Sequence, residues 1–293
     1  MLPASAKRTQ ELLSLMSRNP VTIDRQATLD DALARMESYG FRHLPVVECN
    51  RVLGMLSDRD LRLATGLLRA EHRLRNRHGR KLPGPERVLE VMRHPVHCRG
   101  VHATSLQAAQ DMLRLGIGAI PVIKDGCLVG IVTETDLLRA FVKQCRETHN
   151  EAPARSHMHA PLPTIDCAAS IEEALEALDL RIGHLCVLED GALSGIVSER
   201  DLRVGLARAS QRDLCAQSEG RRVLDPVRVR EVLTTRVITA SPETPLSTSA
   251  ARMLDHKIGA LPILDGERPL GILTQRDLLL CFVAAAGERT EQP

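Results

Sequence analysis

An α/β (α+β) fold built from four copies of a β-α-β-β-α unit is predicted by three observations. The first is a heptapeptide that recurs as Gly54-Met55-Leu56-Ser57-Asp58-Arg59-Asp60, Gly130-Ile131-Val132-Thr133-Glu134-Thr135-Asp136, Gly195-Ile196-Val197-Ser198-Glu199-Arg200-Asp201 and Gly271-Ile272-Leu273-Thr274-Gln275-Arg276-Asp277. Each copy is a glycine, a short apolar strand, a hydroxyl residue, and an aspartate three positions after the hydroxyl. The second is the spacing: successive glycines lie 76, 65 and 76 residues apart, so the first pair of copies maps onto the second by a shift of 141. A period this regular outranks any reading of a single segment. The third is length, since 293 residues accommodate about two domains, each large enough to bury a core without staples. The chain is therefore expected to be a duplicated pair. Module one covers 1–147, with repeats at about 12–65 and 88–141, and module two covers 148–293, with repeats at about 155–206 and 229–282. The cut falls in the polar, proline-containing stretch from Gln144 to His159.

The first repeat opens on a short extended piece, Pro20-Val21-Thr22-Ile23. Thr28 then offers an N-cap, and Leu29, Ala32, Leu33 and Met36 make the apolar stripe of a helix that Gly40 ends. Leu44-Pro45-Val46-Val47 and Val52-Leu53-Gly54-Met55-Leu56 read as two strands about a turn at Cys49-Asn50, and helix resumes from Asp58 to Thr65. The later repeats follow suit. Their helix stripes are Leu106, Ala109, Met112 and Leu113, then Ile171, Ala174, Leu175 and Leu178, then Leu246, Ala250, Met253 and Leu254. Their turns, at Asp125-Gly126, Asp190-Gly191 and Asp265-Gly266, are strong hairpin signals. Pro45, Pro121 and Pro262 precede their glycines by nine positions, with Cys186 in that place in the third repeat, and an edge strand would tolerate such a proline.

Composition narrows the function. With 39 basic against 37 acidic residues, the net charge of +2 gives no whole-chain case for nucleic acid. The basic stretch from Arg69 to Arg87 lacks interleaved aromatics and any known reading motif, so a solvated linker or a lid over phosphates is the better reading. Eight scattered cysteines without a Cys-x-x-Cys fit reduced thiols in a cytoplasmic protein. The first residues form no apolar leader, and no run of about 18 apolar residues is present, so no membrane association is expected. Histidines 94, 97 and 102, and 149, 157 and 159, lack a metal-ligand spacing, and no metal is expected. Nor is a nucleophile–base constellation or a phosphate-cradling glycine loop visible, so neither an enzyme nor a catalytic cofactor is expected.

With the repeat written out, the chain resembles the cystathionine β-synthase (CBS) domain family. The Leu-Pro-Val-Val strand, the Gly-apolar-apolar-[Ser/Thr]-x-x-Asp segment and the pairing of repeats carry the resemblance over roughly residues 12–282. Such pairs are called Bateman modules, and two in one chain are similar in layout to the gamma subunit of AMP-activated protein kinase. The resemblance implies a regulatory protein whose clefts bind an adenosine-containing ligand: AMP, ADP, ATP or S-adenosylmethionine. It implies ribose-holding roles for Asp60, Asp136, Asp201 and Asp277, and phosphate contacts from Ser57, Thr133, Ser198 and Thr274. Thr22, Thr164 and Thr239 would line adenine pockets; the second repeat departs there, with Val96-His97-Cys98 and two extra residues before Leu106. Arg42, His43 and His184 would reach phosphates held by the partner repeat, opposite the uncharged Gly118-Ala119 and Gly259-Ala260.

The residues themselves leave two readings open. Ser/Thr-x-x-Asp after a strand is close to a capping box, in which hydroxyl and acid satisfy each other's backbone N–H groups. The box prefers Glu or Gln, whereas all four copies carry Asp, and a carboxylate also suits a vicinal ribose diol. A helix N-terminus beside Arg59, Arg200 or Arg276 would suit a phosphate. The fourth repeat has the fullest set, with Thr239, Thr274, Arg276, Asp277 and a borrowed His184. An adenine-nucleotide sensor acting on an unidentified effector protein is the leading expectation. A ligand-independent scaffold for a partner protein is the alternative. Two modules facing each other within one chain, or a homodimer, would both close the assembly.

Overall fold

The computed structural model describes residues 10–61, 63–64, 85–148, 152–206 and 226–287. Four antiparallel hairpins form its frame: His43–Glu48 with Arg51–Ser57, Ala119–Lys124 with Cys127–Thr133, His184–Glu189 with Ala192–Ser198, and Ala260–Asp265 with Arg268–Thr274. All four carry a register shift at the same place, between Val46/Val47, Val122/Ile123, Val187/Leu188 and Ile263/Leu264. Three of them turn on two residues with positive φ, at Cys49–Asn50, Asp125–Gly126 and Asp190–Gly191. These are the backbone angles of the hairpin turns that match strand twist.

A short strand lies parallel to each hairpin. Ile23 pairs with Val46, Arg99 with Val122, Ile165 with Val187 and Ala240 with Ile263. The prolines are therefore on an inner strand rather than the expected edge. They are tolerated because the parallel partner begins one residue later; where the third repeat has Cys186, its freed N–H donates to the Pro163 carbonyl at 2.9 Å.

Reciprocal N-caps start the next helices. Thr28 with Asp31 opens Leu29–Tyr39, Thr104 with Gln107 opens Ser105–Leu115, and Ser170 with Glu173 opens Ile171–Ala177. Gly40 closes the first helix at φ 66°. Two expectations change here. The second repeat has no insertion: Thr104 is its cap, which puts Ser105 in the place of Leu29 and Cys98 in that of Thr22. The third helix stops at Ala177, short of Leu178, because a turn on Asp179 takes over; Ile182 and Gly183 donate to its carbonyl at 3.0 and 2.8 Å.

Within a module the repeats are interlocked. The turn around Leu12 is hydrogen-bonded to the second repeat, Leu12 N–H to Ala103 O at 2.8 Å, and that around Val88 returns to the first, Val88 N–H to Ala27 O at 3.0 Å. The same exchange recurs with Ala154 N–H to Thr244 O and Val229 N–H to Ala169 O. Each repeat's lead-in then crosses its partner's hairpin. Ser17, Arg93, His159 and Thr234 pair with Ile131, Met55, Ile272 and Ile196. This crossing explains the motif glycines, since a Cβ on Gly54, Gly130, Gly195 or Gly271 would collide with Met92, Met16, Leu233 or Met158.

The two modules meet face to face within the chain. Helices Ser105–Leu115, Glu134–Thr148, Leu246–His256 and Gln275–Gly287 join repeats two and four around one continuous core, with Phe141 and Phe282 in edge contact at 6.4 Å. Repeats one and three keep separate cores. No helix among the described residues is long and apolar enough to cross a membrane.

Candidate functional site

The four motif aspartates sit at equivalent places, each on the first turn of the helix that leaves its hairpin. Each accepts a cap from the hydroxyl residue three positions earlier, and in three of the four the cap is reciprocal. Thr133 donates its N–H and hydroxyl to Asp136 Oδ2 at 2.9 and 2.7 Å, Ser198 to Asp201 Oδ2 at 2.9 and 2.6 Å, and Thr274 to Asp277 Oδ2 at 2.7 and 2.6 Å. Ser57 treats Asp60 likewise, with its N–H at 3.0 Å. The N–H groups of Asp60, Asp201 and Asp277 return to the hydroxyls at 3.2–3.3 Å. The capping box is thus real, and it is compatible with a ligand site because it engages only Oδ2.

The other oxygen distinguishes the repeats. Asp60 Oδ1 accepts from Arg93 Nε at 3.1 Å, Asp136 Oδ1 from Arg139 Nη1 at 2.9 Å, and Asp277 Oδ1 meets His159 Nε2 at 2.8 Å. Among the described residues, Asp201 has no such contact. Arg93 and His159 are the residues on the crossing lead-ins, so two of these partners come from the neighbouring repeat. Sequence reasoning did not find them, although Met16, Met92 and Met158, each followed by a proline within four residues, mark the crossings.

The backbone donors at these helix starts are largely used. The N–H groups of Asp58, Glu134, Glu199 and Gln275 donate to Arg42, Gly118, Gly183 and Gly259 carbonyls at 2.9–3.1 Å. The N–H groups of Arg59, Thr135, Arg200 and Arg276 remain as first-turn donors toward an anion. The arginine side chains cross between modules. Arg59 Nη2 reaches Glu199 Oε1 at 2.9 Å, Arg200 Nη2 reaches Asp58 Oδ2 at 2.5 Å, and Arg276 Nη2 donates to the Leu113 carbonyl at 3.0 Å.

His43 and His184 pack against glycines of the partner repeats. A Cβ on Gly118 or Gly259 would lie 3.2 Å from the Cε1 of His43 or His184. Burial, assisted by Arg42, pushes His43 down to about 4, and burial also lowers His184. Both rings are therefore neutral near pH 7, and the single N–H of His184 is donated from Nδ1 to the Ile182 carbonyl at 3.0 Å, which leaves its Nε2 an acceptor. Arg42, exposed beside them, faces Glu134, whose carboxyl burial pushes up against the opposing pull of Arg42 and Arg276.

Two of the three strand threonines share the same support. Arg35 Nη1 donates to the Thr22 carbonyl at 2.7 Å, and Arg252 Nη1 to the Thr239 carbonyl at 2.8 Å. Thr164 is exposed on its strand. The second repeat reverses the charge, because its helix carries the buried Asp111 at the matching position. Arg99 Nε, His97 Nε2 and Arg114 Nη2 surround it at 2.6, 2.9 and 3.2 Å. The basic stretch 69–87 lies mostly outside the described residues, as does His149.

The CBS domain family profile matches residues 11–65, 88–143, 154–208 and 229–284. Protein MJ1225 of Methanocaldococcus jannaschii is 27% identical over 270 residues, 89% of this chain and 95% of that protein. A 33.4 kDa protein from the ribosomal RNA operon of Thermofilum pendens is 28% identical over 257 residues, 85% of this chain and 83% of its own length. The solved structure of MJ1225, described as a candidate archaeal homolog of g-AMPK, superposes with a TM-score of 0.73 at 24% identity, covering 93% of this chain and all of that one. A conserved protein from Pyrococcus horikoshii gives 0.62 at 24% identity, covering 94% of this chain and 100% of its own. With four family matches over most of its length and the same fold, the chain belongs to the CBS domain family.

Proposed function

We propose that this chain is a regulatory sensor of an adenosine-containing ligand, AMP, ADP, ATP or S-adenosylmethionine, acting on a separate effector protein rather than catalysing a reaction. The observation that carries the reading is the split use of the motif aspartates. One oxygen is fixed by the cap, and the other stays outside it beside a helix start, met only by an exposed Arg or His side chain in Asp60, Asp136 and Asp277 and by none in Asp201 among the described residues, an arrangement that suits a ribose diol next to a phosphate. In this reading Asp60, Asp136, Asp201 and Asp277 hold ribose, and Ser57, Thr133, Ser198 and Thr274 set the phosphate end. Thr22, Thr164 and Thr239 border the base, and Arg42, His43 and His184 face the phosphates from the partner repeat.

Arg59, Arg200 and Arg276 give the ligand a route to the modules' relative position. A phosphate that draws Arg59 or Arg200 away from Glu199 or Asp58 removes a tie between repeats one and three. Ligand shifts that equilibrium by its difference in affinity between the two arrangements.

Calorimetric titration and thermal melting with AMP, ADP, ATP and S-adenosylmethionine, with guanosine phosphates as controls, test the proposal. Adenosine compounds should bind and raise the melting temperature, guanosine phosphates less so. No heat and no shift with any adenosine compound at millimolar concentration would sink it. A ligand-independent scaffold has one observation in its favour: three of the four motif aspartates have both oxygens engaged within the chain.

A further inference from the structure

The four clefts share a frame but differ in one side chain. Each lead-in crosses its partner's hairpin through the same pair of backbone hydrogen bonds. Arg93 exchanges them with Met55 at 2.9 and 3.1 Å, His159 with Ile272 at 2.8 and 3.0 Å, and Thr234 with Ile196 at 2.9 and 3.0 Å; Ser17 pairs with Ile131. The residue at this crossing stands over the partner's motif aspartate, and only its length and charge decide whether it reaches Oδ1.

Arg93 and His159 reach. Their side chains lie 52% and 42% exposed over carboxylates that are 10% and 6% exposed, so each is a surface group closing a nearly buried acceptor. Thr234, exposed and short, leaves Asp201 Oδ1 without a cation among the described residues. Ser17 is also short, but there the helix supplies Arg139 to Asp136; the matching positions in the other repeats are Leu63, Val204 and Leu280.

We propose that the side chain held against Oδ1 gates the cleft, the crossing residue in the first and fourth repeats and Arg139 in the second, and that the cleft of the third repeat, around Asp201, is the one open to the vicinal diol of an adenosine ligand in this chain. The inference rests on the adenosine reading above and names the site at which it operates. In the first and fourth repeats the diol must displace a charge-assisted hydrogen bond before it can bind, whereas Asp201 is ready to accept it. The fourth repeat, with the fullest set of motif residues, is therefore a gated site.

Equilibrium dialysis of labelled AMP tests this, with 2′-deoxy-AMP as the diol control and melting curves to verify folding. Wild type should show one tight component, lost in Asp201→Asn and weakened roughly tenfold or more in Thr234→Arg, which installs the cation of the first repeat. His159→Thr should add a second component, and 2′-deoxy-AMP should lose the tight one. AMP binding that persists unchanged in Asp201→Asn and Thr234→Arg overturns the gating assignment and leaves the adenosine reading standing. Absence of binding by wild type and by His159→Thr alike, with labelled AMP, ATP and S-adenosylmethionine in turn, overturns both.

Discussion

The two faces on which the modules meet are built from opposite materials. Between repeats two and four, Leu137, Leu138, Phe141, Leu278, Leu279 and Phe282 are almost wholly buried in a core that both modules share. Between repeats one and three, the ties are Arg59 to Glu199 and Arg200 to Asp58, with arginine side chains 46% exposed. The two pairs are images of each other, because Asp58-Arg59 and Glu199-Arg200 occupy the same motif positions. Apolar burial is insensitive to salt and to a small anion, whereas half-exposed ion pairs respond to both. In the proposed sensor the first face would serve as a fixed joint and the second as an adjustable one, and the second is next to the Asp201 cleft of the third repeat.

The largest effect expected is on the fixed joint. Phe282→Ala removes one ring of the edge-on pair and leaves a cavity in the shared core, at a cost of about 3–5 kcal/mol, read as a lower denaturation midpoint. A loss below about 1 kcal/mol would show that the modules do not depend on this core.

Next comes Asp111, the buried acid of the second repeat. Burial alone would raise its pKa, but hydrogen bonds from Arg99, His97 and Arg114 outweigh that and bring it down to about 2. Its contribution is present above the ordinary carboxylate pKa of about 4 and is lost as pH falls from there toward about 2. Asp111→Ala leaves Arg99, Arg114 and the His97 ring without their acceptor and should cost on the order of 3 kcal/mol at neutral pH. Equal acid sensitivity of wild type and variant, by melting curves between these pH values, would contradict the assignment.

His43 gives a milder effect at higher pH. Its folded pKa, depressed to about 4 mainly by burial and then by Arg42, means that the unfolded chain takes up a proton first. Stability should fall as pH drops from about 6.5 toward about 4, and His43→Gln should flatten that slope. An unchanged slope would mean that the ring is not held neutral against Gly118.

The smallest expected effect belongs to the adjustable joint. A double-mutant cycle of Arg59→Ala and Glu199→Gln should return about 0.2–1 kcal/mol at low salt and less at high salt. A coupling of several kcal/mol that survives molar salt would erase the contrast between the faces.

Local and global features differ in how far the sequence revealed them. Thr28, Gly40, the Asp-Gly turns and the four heptapeptides act within a few residues, and the helices and hairpins appear where those signals stand. The shortened third helix escaped because a turn on Asp179 competes with the apolar stripe that includes Leu178. The motif aspartates were legible as candidates for both cap and ligand roles, and the structure shows the cap. The partners of their second oxygens were not legible, because Arg93 and His159 arrive on crossings fixed by the tertiary fold. The destinations of Arg59 and Arg200 were hidden likewise, since they bind each other's neighbours across the two modules.

Amide hydrogen exchange, with and without AMP and at low and high salt, tests the central claim most directly. Helices 134–148 and 275–287 should exchange only on global unfolding and be indifferent to salt and AMP. The helix starts at 58–61 and 199–206 should open more readily, gain protection as salt is lowered, and respond when AMP is added. Exchange in 134–148 and 275–287 that follows salt or AMP, with 58–61 and 199–206 unmoved, would contradict a fixed joint at repeats two and four and an adjustable one at repeats one and three.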